Sequence, residues 1–264
     1  MNLRTRYDGS NLRTKEMKSE FVIRLEGVSV CYKIPHERYG TFKEFVIRRL
    51  QGRVNHREFW ALSDINLEIG TGEILGIVGR NGSGKSTLLK VISRVLSPSE
   101  GRVRVRGKIA PLLELGAGFH PELTGRENIY LNGTLLGHPQ DEIEDRLERI
   151  IAFSEIESFI DVPIRTYSSG MVARLGFAVA TAWEPDILLL DEILTVGDEA
   201  FQNKCLAHLE NIIQGGTTVL IVSHSASLIT NMCQRVAWID KGNLQSLGTA
   251  NEVVEEYHNK YKGQ

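Results

Sequence analysis

The chain has 264 residues, 42% of them hydrophobic, enough to bury a substantial core in one large domain or in a domain with a subdomain. Lysine and arginine number 31 against 33 aspartates and glutamates, so the net charge of -2 gives no overall cationic field for nucleic acid. Cys31, Cys205 and Cys233 are scattered with no CxxC pair, which points away from a disulfide scaffold or a zinc site and toward buried thiols in a reducing compartment.

Residues 1–19 carry no periodic apolar pattern and no signal-peptide core, and read as a flexible lead-in. No apolar run approaches the roughly 20 residues of a membrane-spanning helix. A cytosolic chain is expected, serving any membrane process through a partner. Strand-like runs follow at residues 21–25, 28–32, 65–69 and 74–78, with a turn predicted over 70–73. Between them, residues 33–57 hold seven lysines or arginines against two glutamates. Phe42, Phe45, Val46 and Leu50 have helical spacing there, so a basic amphipathic helix is expected over about 36–53. It would lie at a membrane surface or pack on its own domain.

A helix is then predicted over 88–96, a short strand over 102–105 and a glycine-rich loop around 115–119. Residues 126–180 read as mostly helical, with Ile143, Leu147, Ile150 and Ile151 as a buried stripe. Strands return at 187–190, 218–222 and 236–239, the last followed by a hairpin turn at Asp240-Lys241-Gly242-Asn243. A terminal helix is expected over 250–261.

Gly79-Arg80-Asn81-Gly82-Ser83-Gly84-Lys85-Ser86 fits GxxxxGKS, with Thr87 next, between a predicted strand and a predicted helix. Glycines let successive backbone N–H groups converge on phosphate oxygens, and the helix N-terminus favours an anion. Lys85 can reach outer phosphates and the Ser86 hydroxyl can ligate magnesium. About a hundred residues later, four apolar residues end in Asp191-Glu192, at the edge where open α/β sheets bind ligands. Asp191 would hold magnesium, and Glu192 would polarise an attacking water as general base. His224 ends another apolar run, from which it could orient water and terminal phosphate. Tyr167-Ser168-Ser169-Gly170-Met171 reads as a turn opening an amphipathic helix over 172–182, able to offer N–H groups and a hydroxyl to an anion.

Together these segments resemble the nucleotide-binding subunits of ABC transporters. The resemblance implies a P-loop NTPase of the α/β class, with a RecA-like core, an antiparallel β subdomain and a helical subdomain over about 120–182, all within 20–264. It implies an ATPase using ATP and Mg2+, with Lys85, Glu192 and His224 catalytic and Ser86 and Asp191 at the metal. Ser168, Ser169 and Gly170 stand where the family has LSGGQ, which completes the site of the opposite subunit in a head-to-tail homodimer. Asp198 matches the family's aspartate after the catalytic carboxylates. Tyr32 takes the place of an aromatic residue that stacks on adenine, with Trp60 as a substitute. Glu114 stands near the family's usual glutamine, which senses magnesium and meets the membrane subunit.

The run 112–133, YSSGM at 167–171 and DEILTVGD at 191–198 are similar to the subfamily that exports O-antigen, related cell-surface glycans and teichoic acids. That likeness implies two copies of a transmembrane permease as partner, a peripheral location on the cytoplasmic side of the bacterial inner membrane, and no nucleic acid. It also implies contact of the 36–53 helix with a glycolipid head group. Some exporters append a carbohydrate-binding domain for which this chain has no room after Tyr261. A naturally short subunit and a separated ATPase portion both fit. An ABC ATPase serving another transported substrate, and a soluble one in DNA repair or translation, are the competing readings.

Overall fold

The computed structural model describes residues 21–35, 56–113, 115–191, 197–223 and 225–261. The first two strands, β1 (Phe21–Pro35) and β2 (His56–Gly70), pair antiparallel, and β4 (Glu100–Val105) adds to the other side of β1. In this three-stranded sheet one face is apolar. Ile23, Leu25, Val28, Leu62, Ile65, Leu67 and Ile69 are buried on it. The outer face carries charge pairs instead: Arg24 lies 2.9 Å from both Glu26 and Glu68, and Arg104 lies 3.6 Å from Glu26. The turn at 70–73 forms as predicted, but its two flanking strands enter different sheets. Glu73 caps the turn, accepting from the Gly70 N–H at 2.8 Å, while β3 (Ile74–Val78) passes into the second sheet.

That second sheet has six strands in the order β5-β6-β7-β3-β8-β9, where β5 is Ile109–Leu112, β6 Ile187–Asp191, β7 Thr218–Val222, β8 Arg235–Asp240 and β9 Asn243–Thr249. All neighbours are parallel except the β8–β9 hairpin. A parallel sheet is covered on both faces, and β7 is accordingly buried at every position. One face packs on α1 (Lys85–Ile92) and the β1–β2 layer. The other packs on α5 (Glu199–Gln214), α6 (Ala226–Met232) and α7 (Ala250–Tyr261). The expected RecA-like core with an antiparallel β layer is present.

Three helices form the remaining block: α2 (Gly125–Leu135), α3 (Gln140–Ser154) and α4 (Ser169–Ala180). Thr124 and Glu127 close a reciprocal capping box on α2. The buried side of α3 is Ile143, Leu147, Ile150 and Ile151, the stripe read from the sequence, and it packs on Ile129, Leu175 and Val179. Asn128 is fully buried and fastens the chain entering α2, with its amide donating to the carbonyls of His120, Leu123 and Thr124.

Several boundaries differ from expectation. Gly84 adopts the left-handed conformation and starts α1 at Lys85, three residues before the expected 88, and Arg94 at φ 63 ends it well short of 96. The hairpin expected at 240–243 forms, with β9 as its returning strand, whereas β5, α5 and α6 were not expected. The basic segment 36–53 lies outside the described residues.

Gly101 places a stringent demand on the β1–β4 pairing. Its φ is +83, and a Cβ there would lie 2.2 Å from the Gly27 carbonyl oxygen. Gly101→Ala is expected to destabilise the fold by about 2 kcal/mol in equilibrium urea unfolding, since both the conformation and the space are refused.

Candidate functional site

The parallel strands deliver their C-terminal ends to one edge. Ile77 and Asp191 both register with Val222, so the segments leaving β3, β6 and β7 emerge side by side. The first is the loop at 79–86. Gly79, Gly82 and Gly84 have φ of 154, 76 and 113, values open to glycine and resisted by other residues. A Cβ on Gly79 would meet the Ile239 carbonyl oxygen at 2.1 Å and Ser83 Oγ at 2.6 Å. One on Gly84 would meet the Ala61 carbonyl oxygen at 2.6 Å.

The surrounding backbone holds this loop. The Gly242 N–H, in the β8–β9 turn, donates to the Ser83 carbonyl at 2.8 Å, and the Ser63 N–H donates to the Gly242 carbonyl at 2.8 Å. Lys85 is buried, and its Nζ donates to the carbonyls of Gly79 (2.8 Å) and Arg80 (3.1 Å). The Ser86 hydroxyl donates to Asp191 Oδ2 at 3.1 Å across 105 residues of sequence. A hydroxyl and a carboxylate side by side are hard oxygen donors of the kind that hold Mg2+ together with phosphate oxygens and water. Asn81 and Thr87 belong to the same loop and helix start. Ser83 Oγ is buried without a hydrogen-bond partner.

Glu192, His224 and Glu114 lie outside the described residues. Glu192 follows Asp191 directly, and His224 comes two residues after the end of β7.

Tyr32 and Trp60, the two aromatic candidates, are separated by a bulge. Val30 pairs with Leu62 but Cys31 with Trp60, so β2 takes two steps against one of β1. Alternation therefore puts Trp60 with Cys31 on one face. Tyr32 and its partner Phe59 lie on the face of Val30 and Leu62, and Leu62 Cδ2 is the atom a Gly84 Cβ would meet at 2.8 Å. Phe59 was not anticipated. It is 49% exposed, and its register opposite Tyr32 is the signal that sequence alone does not carry.

Ser168 caps α4, its Oγ accepting from the Met171 N–H at 3.2 Å, and Ser168 and Ser169 are exposed. A Cβ on Gly170 would find only Ser168 Oγ within 4 Å, so this helix start has an open side. Among the described residues no hydrogen bond links 168–170 to 79–87.

Asp198 caps α5 and joins α4 through Arg174, a residue the sequence reading missed. Arg174 lies 2.7 Å from Asp198 and 2.7 Å from Glu155, and Lys204 is 2.7 Å from Glu155. The guanidinium also sits 4.4 Å from the Phe201 ring centroid. The Phe201 N–H holds the Asp198 carboxyl below the usual carboxylate range, with Arg174 adding to the effect. Lys204 and then Arg174 do the same for Glu155. Both carboxyls are lowered on folding, so their contribution is present at neutral pH and is lost as pH falls through the carboxylate range.

Comparison with known proteins decides the family. The profile described as ABC transporter matches residues 62–195. This chain belongs to the ABC transporter family. Within the family, an O-antigen export system ATP-binding protein of Klebsiella pneumoniae is 46% identical over 238 residues, covering 89% of this chain and 97% of that protein. A Myxococcus xanthus protein of the same description is 49% identical over 222 residues, 83% of this chain and 51% of its own length. A teichoic acids export ATP-binding protein of Enterococcus faecalis is 39% identical, covering 91% of this chain and 53% of that one. Among solved folds, a dimeric post-hydrolysis ATP-binding cassette bound to ADP and Pi superposes with a TM-score of 0.66 at 24% identity, covering 86% of this chain and 98% of its own.

Arg174 joins the capped start of α5 to α3 and α4. Arg174→Ala is expected to lower the melting temperature by roughly 3 °C at about pH 7 and by less near pH 2, where protonation of the two carboxyls weakens the pairs in wild type. Differential scanning fluorimetry at the two pH values reads the difference.

Proposed function

We propose that this chain is the ATP-hydrolysing subunit of an exporter of lipid-linked cell-surface polysaccharide. It would work as a head-to-tail homodimer on the cytoplasmic face of the inner membrane, with a separate transmembrane permease. One observation carries the ATPase reading: the Ser86 hydroxyl and the Asp191 carboxylate meet at 3.1 Å beside a glycine-rich loop that buries Lys85. The substrate reading rests on relatives described as exporting O-antigen, to one of which this chain is 46% identical over nearly its whole length.

In this reading the amides of 79–87 and Lys85 bind the ATP phosphates, exchanging the carbonyl contacts of Lys85 for phosphate oxygens. Ser86 and Asp191 would hold the Mg2+, which supplies charge neutralisation of the bound phosphates. Tyr32 and Phe59 offer an aromatic face to adenine, and their register on the Leu62 face supports Tyr32 over Trp60. Ser168 and Gly170 of the partner subunit close over the nucleotide with the N–H groups of a helix start. Glu192 takes a proton from the attacking water, and His224 keeps the γ-phosphate in line. Glu114 is proposed to adjust the metal side of the site.

A groove of about 580 Å3 between the sheet layer and the helical block supports a membrane partner. Val95, Leu135 and Leu136 stand exposed in it, beside Phe119 and Trp183. Among the described residues no helix is long and apolar enough to cross a membrane, so energy would pass to the permease through such a surface. The basic 36–53 segment is proposed to meet the glycolipid head group.

Glu192→Gln is expected to lower the ATP turnover number at least a hundredfold while ATP still binds. Equal rates for wild type and variant would remove Glu192 as general base. Leu135→Asp is expected to abolish stimulation of ATP hydrolysis by the copurified permease and to leave the basal rate of the isolated subunit unchanged. Recovery of a lipid-linked polysaccharide with the assembled complex supports the substrate assignment. Recovery of an amino acid or metal cargo instead overturns it in favour of another ABC transport function.

A further inference from the structure

The phosphate loop is touched by the far end of the chain. Arg80, its second residue, has its guanidinium 5.3 Å from the ring centroid of Tyr261, at the end of α7. That end of α7 is itself anchored. Val253 and Val254 are buried, and the rings of Tyr257 and Tyr261 lie edge-on to Trp238 at 5.8 and 6.4 Å. Lys260 is 4.6 Å over the Trp238 ring and 3.3 Å from Asp240. Asp240 in turn opens the β8–β9 turn, whose Gly242 holds Ser83.

Arg80 is also tied into the loop by its main chain. Its carbonyl accepts from Lys85 Nζ at 3.1 Å and from the Ser83 N–H at 3.1 Å. Moving Arg80 therefore moves an oxygen that sets where the phosphate-binding lysine rests. The neighbouring α7 residues Val254 and Tyr257 border Gly79 and Ser223 across a small cavity of about 30 Å3, so the helix lies against the segments leaving both β3 and β7. A glycine-rich loop loses much conformational freedom on ordering, and fixing one of its residues beforehand lowers the cost of binding.

We propose that Tyr261 is a positioning residue for ATP binding. Its ring steadies Arg80, and through Arg80 the phosphate loop, so that docking of α7 on β8 sets the affinity for ATP. This rests on the nucleotide-binding reading above. It goes beyond that reading by making the C-terminal helix a determinant of the site.

The test is the Kd for ATP with magnesium, measured by titration calorimetry on the full chain. An exposed cation–π contact predicts that Tyr261→Ala raises Kd about two- to fivefold. Tyr261→Phe, which keeps the ring and loses only the hydroxyl, should match wild type. Tyr261→Leu keeps apolar packing against Trp238 without a π face, and should lose as much as alanine even where alanine folds poorly. On an Arg80→Ala background Tyr261→Leu should have no further effect, the mark of coupling between the two residues. An unchanged Kd in Tyr261→Leu, a phenylalanine variant as weak as leucine, or additive losses with Arg80→Ala would each overturn the proposal. Wild type without affinity for ATP overturns the nucleotide reading as well, whereas normal wild-type affinity with unmoved variants overturns the Tyr261 proposal alone.

Discussion

At the mouth of the phosphate loop, main chain touches main chain with no side chain between. Gly79 lies against the Ile239 carbonyl, Gly84 and Gly242 against that of Ala61, and a Cβ at any of the three would sit within 2.8 Å of those oxygens. Contacts of this kind cannot relax by a change of rotamer. They fix the end of β3, the turn of β8–β9 and the bulged part of β2 relative to one another. The antiparallel layer and the parallel sheet are thereby joined at the point where an anion would be bound, and the loop's geometry is inherited from two sheets rather than from its own weak local preferences.

The region around Ser168 and Asp198 is organised by charge. Arg174 reaches from α4 to Asp198 and Glu155, so the helix whose start carries Ser168 is tied to Asp198, seven residues beyond the Asp191 carboxylate that ends β6. Exposed ion pairs are worth little singly. This one is largely shielded on the arginine side, is backed by an aromatic ring and is joined by Lys204, which makes it a link between the helical block and the sheet core. Among the described residues, no hydrogen bond joins the open helix start at Gly170 to the phosphate loop.

Much of this was legible in the chain. The glycine-rich loop between strand and helix, the apolar run ending in Asp191, and the spacing of Ile143, Leu147, Ile150 and Ile151 each carry their own local signal, and the fold confirms those elements. The bounds of α1 were less so, because its start depends on the left-handed Gly84, which a motif reading treats only as loop. The helix α5 did carry a signal, with Phe201, Cys205, Leu209 and Ile212 all buried at helical spacing, but its polar residues obscured the stripe. The face shared by Tyr32 and Phe59 depends on a bulge at Ala61, and the Arg174 pairs join residues 19 and 24 positions apart. Register and tertiary pairing of that kind leave no periodicity behind.

The charged outer face of the three-stranded sheet has a role apart from ATP. β4 is an edge strand, with backbone donors and acceptors that could template another chain. Arg102 and Arg104 alternate along it in solvent, and Arg24, Glu26 and Glu68 continue the charge onto its neighbours. A second strand approaching this edge would have to bring its own side chains against that lattice of charge and strip its water. The charge therefore guards this edge against pairing with the strand of a second copy.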